Sequence, residues 1–198
     1  MALSTYSDLL SAVGDWLDRS DLEARIPDFI RLAESRLNRL LDDPEMEIAT
    51  TLTANDEATP LPADFGEMVS ISTGNGALQA MGPVEFAAVD PSITGTPRYY
   101  SIVDQEIRFA PANSTASISL VYRRSIPSLT ADNPTNWLMT RAPDVYLYGA
   151  LLHAEAYDPN DERVPLWKAA FDEAIGELRT DGARRKWGPS MAPRIRRT

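Results

Sequence analysis

The chain has one histidine, His153, and no cysteine, so a metal centre would rest on carboxylates around a single imidazole, and thiol chemistry is excluded. His153 stands beside Glu155 in a stretch of helical pattern, the setting of an ordinary packed histidine rather than of a general base. No Walker-type glycine loop, GxSxG elbow or HExxH pair occurs. Gly74-Asn75-Gly76 reads as a hairpin turn rather than a phosphate cradle. The acid pairs Asp42-Asp43 and Asp161-Glu162 fall at helix ends, where capping and solvation account for them. Trp137 suggests a carbohydrate platform, but Trp16 and Trp167 fall on apolar stripes and read as core. These patterns predict no catalytic residue, no metal and no cofactor. A glycan hydrolase would need two carboxylates about 5 to 10 Å apart across a cleft.

The chemistry that does stand out is charge. Arg184, Arg185, Lys186, Arg194, Arg196 and Arg197 are crowded into the last fifteen residues, and no acid follows Asp181. The chain as a whole carries −10, so the remainder is an acidic body at −16. Trp187, Met191 and Ile195 are interleaved with the cations, and Pro189 and Pro193 interrupt any regular helix. The composition predicts an extended tail over 184–198 that orders on a partner, with the apolar residues as anchors and the cations as grips. Duplex DNA and an acidic protein groove both suit such a tail. Absent cysteines fit a reducing cytoplasm, and no run approaches a membrane span or a signal peptide.

Helices must position that tail. Tyr6, Leu9, Leu10, Val13, Trp16 and Leu17 recur at helical spacing after a Ser4 or Thr5 cap. A second helix is expected from Pro27 to Asp42-Asp43-Pro44, with Phe29, Leu32, Ala33, Leu37, Leu40 and Leu41 inward and Arg31, Glu34, Ser35, Asn38 and Arg39 outward. From about Met46 to Ile126 the apolar period shortens towards two, which predicts strands over 47–53, 67–72, 77–81, 98–103, 106–110 and 116–122. Asp104-Gln105 reads as a tight turn and Pro83 to Val89 as a helical turn. A third helix is expected from Pro143-Asp144 and a fourth to about Thr180, burying Leu166, Trp167, Phe171, Ile175 and Leu178, with Gly182 as its stop. The expected fold class is α+β: a four-helix bundle (1–45 and 133–183) interrupted by a β-sheet-rich insertion (46–132), with the extended basic C-terminal tail at 184–198.

Four segments occur in a telling order: IPDFIRLAESRLNRLL at 26–41, LPADFGEM at 61–68, GTPRYYSIVDQEIRFAP at 95–111 and TNWLMTRAPDVYLYGALLHAEAY at 135–157. In this succession the chain resembles bacteriophage head-to-tail adaptors of the podovirus tail-tubular and connector type. The resemblance implies a structural virion protein of the neck, assembled in the host cytoplasm, without enzymatic activity. It implies self-association into a ring of about twelve copies, a portal protein engaged through the C-terminal extension, a tail partner (nozzle or tail-tube protein) on other surfaces, and DNA passing through the channel unread. The partner-binding residues expected on this basis are Arg184, Arg185, Lys186, Trp187, Met191, Arg194, Ile195, Arg196 and Arg197. The alternative resting on the same arginines is a nucleic-acid-binding phage accessory protein.

Overall fold

The computed structural model describes residues 3–54, 58–90, 93–111, 115–158 and 161–188. In chain order its elements are α1 (Tyr6–Leu17), α2 (Ile26–Leu40), β1 (Glu47–Thr53), β2 (Thr59–Pro60), β3 (Phe65–Thr73), β4 (Gly76–Ala77), β5 (Gln79–Ala80), α3 (Pro83–Ala87), β6 (Tyr99–Val103), β7 (Glu106–Ala110), β8 (Ser117–Arg124), α4 (Trp137–Arg141), α5 (Pro143–His153) and α6 (Val164–Trp187). They fall into two compact units, residues 1–45 with 126–198, and residues 46–125. The expected four-helix bundle with one β insertion is overturned. Among the described residues there are six α-helices and two four-stranded sheets, an α+β mixture. Periodicity identifies the long helices, but it does not register the five-residue α3 and α4, and it cannot say how strands divide between sheets.

In the helical unit, α1 opens on a capping box: Asp8 N donates to Thr5 Oγ1 at 3.2 Å and Thr5 N to Asp8 Oδ2 at 2.9 Å. It ends at Asp18 in the left-handed conformation, φ 52°. Helices α2, α5 and α6 converge at Gly149, whose missing Cβ would sit 3.2 Å from both Ala33 and Phe171. A side chain there would force the three helices apart. The connection 126–136 is strapped down by polar side chains. Asn38 Oδ1 accepts from Ile126 N, and Glu34 Oε1 accepts from Leu129 N, both at 2.7 Å. Asn136 donates to Pro127 O and to the Tyr146 hydroxyl at 2.7 Å, while its Oδ1 caps α4 through Met139 N at 2.8 Å. Glu34, expected to face outward, is therefore buried, because the strap covers that side of α2 and supplies its main-chain donor. Burial holds its carboxyl above the usual range, against the opposing pull of its hydrogen bonds.

The β unit has one sheet in the order β1-β8-β3-β4 and another in the order β2-β7-β6-β5, sharing a core of Ile71, Leu78, Ile107, Phe109, Ile118, Leu120 and Tyr122. All pairings are antiparallel except β5 with β6. Along β8, Ile118, Leu120 and Tyr122 point inward and Ser117 and Ser119 outward, the alternation that the sequence displays. Asp104 and Gln105, with φ of 53° and 62°, make the two-residue turn between β6 and β7, and Gly74-Asn75 turns β3 into β4. Gly66 sits at a register shift of β3, where a Cβ would lie 2.8 Å from Arg123 O. Such close backbone approach admits glycine alone.

Candidate docking site

The end of α6 is positioned by arginines at its start and along its length. At its start Arg163 donates to Trp16 O at 2.8 Å and Leu17 O at 3.3 Å, satisfying carbonyls that α1 leaves open at its C-terminus, and it lies 5.0 Å from the centre of the Trp167 ring. Four turns on, Arg179 does the same for α2 through Leu40 O, at 2.7 and 3.1 Å. Between them Trp167, Phe171, Ile175 and Leu178 form one narrow buried stripe. Leu166, expected inward, is 69% exposed because it falls one residue off that stripe, on a helix packed along a single face. Trp16 and Leu32, also expected inward, are exposed for the same reason, although Trp16 keeps an edge contact with Tyr148 at 5.8 Å.

Gly182 does not stop α6. The helix continues to Trp187, and Gly182 serves close approach instead: a Cβ there would lie 2.9 Å from Asp43 Oδ2. Asp43 is buried and hydrogen-bonded to Arg141 at 2.8 Å and to Glu45 N at 3.0 Å. Arg141 also reaches Asp181 at 2.6 Å, so one guanidinium ties α4, the chain after α2 and α6 together. Arg185 then binds Glu45 at 2.6 Å and approaches Asp43 at 3.8 Å, a bond that raises the Arg185 pKa further above its ordinary value. Lys186 approaches Asp42 at 3.4 Å.

This geometry divides the residues expected to bind a partner. Arg184, Arg185, Lys186 and Trp187 form the last turn of α6, not an extended tail, since capping and ion pairs draw the helix past Gly182. Arg185 and Lys186 turn towards the acids that follow α2. Arg184 and Trp187, one helical turn apart, remain exposed, with Trp187 at 59% and Lys186 Nζ 5.8 Å from its ring centre. Met191, Arg194, Ile195, Arg196 and Arg197 lie outside the described residues. Arg141, Asp43 and Gly182 went unread as parts of this site. The available signal was the acid pair after α2 matched by the RRK run at the end of α6.

Elsewhere the arrangement offers little chemistry. His153 is half-buried, its Nε2 makes no hydrogen bond, and burial with the nearby Arg36 and Arg39 charges pushes its pKa down. A cleft of about 790 Å³ in the β unit is lined by Asn75, Gln79, Thr96, Arg98 and Tyr99 among others, with no carboxylate or histidine among the described residues on its wall. Among the described residues no group of His, Cys, Asp and Glu is placed to hold a metal ion, and no helix is long and apolar enough to cross a membrane. The model of one protein family, described as SU10 adaptor protein, matches residues 4–197. No curated protein matches the chain in sequence.

Proposed function

The chain belongs to the SU10 adaptor protein family and is a bacteriophage adaptor, a structural component of the virion, and from that premise we propose that it joins the portal to the tail. In this reading about twelve copies form a closed ring beneath the portal, and the ring contributes a section of the channel through which DNA leaves the head. The acidic body, at −16 within a chain of −10 for each copy, then serves passage rather than capture, because carboxylates facing a lumen repel the phosphate backbone. The observation that carries the proposal is the family match, which spans both units rather than one.

The docking element we assign to the portal is the exposed face of the last turn of α6, Arg184 with Trp187, continued by Met191, Arg194, Ile195, Arg196 and Arg197. An exposed tryptophan beside an unpaired arginine is the composition of an interface hot spot. Arg185 and Lys186 hold that face in place through Glu45 and Asp42 rather than meeting the partner themselves. Co-sedimentation of the full chain with its own phage's portal rings tests this. Trp187→Ala combined with Arg184→Ala is expected to weaken capture at least tenfold, while Leu166→Ala, on the same helix far from its end, leaves it unchanged. Undiminished capture by the double variant refutes the assignment. Steeply salt-dependent binding to duplex DNA with no portal binding favours the accessory-protein reading instead.

A further inference from the structure

The cleft of about 790 Å³ in the β unit has the size of a small-molecule site, and main-chain bonds fix its wall. Gln79 N donates to Arg98 O at 2.8 Å and Arg98 N to Ala110 O at 2.9 Å, which ties β5, β6 and β7 together at this point. Gln79 is the register partner of Tyr99, so their side chains share a face. The turn between β3 and β4 is held to the segment before β6, where Asn75 Nδ2 donates to Thr96 Oγ1 at 3.3 Å. Gln79, Arg98 and Tyr99 are all exposed. Among the described residues the Gln79 amide, the Arg98 guanidinium and the Tyr99 hydroxyl make no side-chain hydrogen bond or ion pair, and the Tyr99 ring has no aromatic neighbour. A cation, an aromatic face and an amide thus meet in one cleft with nothing of the described chain to engage them.

We propose that this cleft binds a short acidic saccharide, with Arg98 on a sugar carboxylate, the Tyr99 ring under the C–H face of a pyranose, and Gln79 and Asn75 on its hydroxyls. The chemistry of the wall selects this class. A guanidinium meets a carboxylate through two parallel bonds. An exposed aromatic ring offers the apolar platform that the C–H face of a sugar covers. Amides and the threonine hydroxyls of the cleft both donate and accept, as sugar hydroxyls do. A nucleic-acid strand fits less well: the β unit carries nine acids and four arginines, a net −5, and a polyphosphate needs several cations where the cleft has one. One carboxylate on a hydroxyl-rich ring needs only one. Glycoside hydrolysis takes two carboxylates, and the described wall holds none, so the cleft binds its glycan without cleaving it. Every residue of the site belongs to the β unit, so its failure and that of the portal assignment are separate results.

Saturation-transfer NMR and titration calorimetry of the full chain with a hyaluronan tetrasaccharide, which alternates glucuronate with N-acetylglucosamine, test this. Binding is expected with a Kd of about 0.1–1 mM. Glucuronic acid should displace the tetrasaccharide at least tenfold better than glucose, which has a hydroxymethyl group in place of the carboxylate. Arg98→Gln removes the charge from an exposed side chain that packs nothing else, and it should erase that preference. Tyr99→Ala should weaken the tetrasaccharide at least tenfold. Arg108→Gln, at an exposed arginine of β7 outside the lining, should change neither. No binding at about 10 mM overturns the proposal. So does equal displacement by glucose and glucuronic acid, an acid preference retained by Arg98→Gln, or tighter binding of a thymidine tetranucleotide or a tetraglutamate peptide.

Discussion

Replacing Arg141 by methionine should destabilise the helical unit far more than replacing its partner Asp43 by asparagine, although the same 2.8 Å bond is lost in both. The asymmetry follows from what each change leaves behind. Without Arg141, the Asp43 carboxylate, 3% exposed, keeps only Glu45 N at 3.0 Å and Arg185 at 3.8 Å. A buried charge stripped of its main partner costs about 3–5 kcal/mol, and the residual Arg185 contact puts this case near 3. Without the Asp43 charge, Arg141 still holds Asp181 at 2.6 Å and is 21% exposed to water, so the loss is one charge-assisted bond, about 1–2 kcal/mol. The double variant removes the charge that Arg141→Met alone would strand. It should cost less than the two singles together by about 2 kcal/mol, a coupling of the size that contacting groups show. Urea unfolding followed by tryptophan fluorescence reads this directly, because Trp16, Trp137, Trp167 and Trp187 all belong to the helical unit. Equal losses for the two single variants, or strict additivity in the double, would refute the view of Asp43 as a buried carboxylate dependent on Arg141.

Two further changes probe the same packing. Gly182→Ala should destabilise by about 1–2 kcal/mol, since a Cβ 2.9 Å from Asp43 Oδ2 outweighs the better helix propensity of alanine, whereas Gly176→Ala, with open space around it on the same helix, should stabilise by up to about 1 kcal/mol. Urea midpoints of the two variants check the sign of each. Glu34 binds its proton more tightly in the folded state than in the unfolded chain, so wild-type stability should fall as pH rises from the ordinary glutamate value of 4.5 through the higher folded value, then level off. Glu34→Gln lacks that slope, and the difference between the two stability curves between pH 4 and 8 isolates it from every other titrating group; a flat or rising difference refutes the assignment.

What the sequence discloses and what it conceals divide along a physical line. Segments whose structure is decided locally are legible: the cap of α1 at Ser4 or Thr5, which the structure gives to Thr5, the Asp104-Gln105 turn, the strict alternation along β8 and the proline starts of α2 and α5. Features decided by a distant neighbour are not. Glu34 looks like a solvated residue until the 126–136 strap closes over it, and Gly182 looks like a helix stop until Asp43 is found against it. Alternation tells which face of a strand is buried but not which strand lies beside it, so one insertion became two sheets. Of the expected docking residues, only those to 187 lie within the described chain.

The basic C-terminus shows why a charge count alone overstates what a partner can meet. Six cations against an acidic body suggest a tail reserved for an external acid, yet two of them, Arg185 and Lys186, find their acids on the chain segment that follows α2. Three arginines at and along α6 do internal work: Arg163, just before it, on α1, Arg179 on α2 and Arg185 on Glu45. That work fixes the direction in which Arg184 and Trp187 are presented. A neutralising change at Glu45 or Asp42 should accordingly weaken portal capture without touching the portal, by letting the last turn of α6 fray and so raising the entropy that docking must remove. If capture is unaffected while hydrogen exchange at 183–187 rises, the last turn is not the docking element, and the residues beyond 188 carry the contact alone.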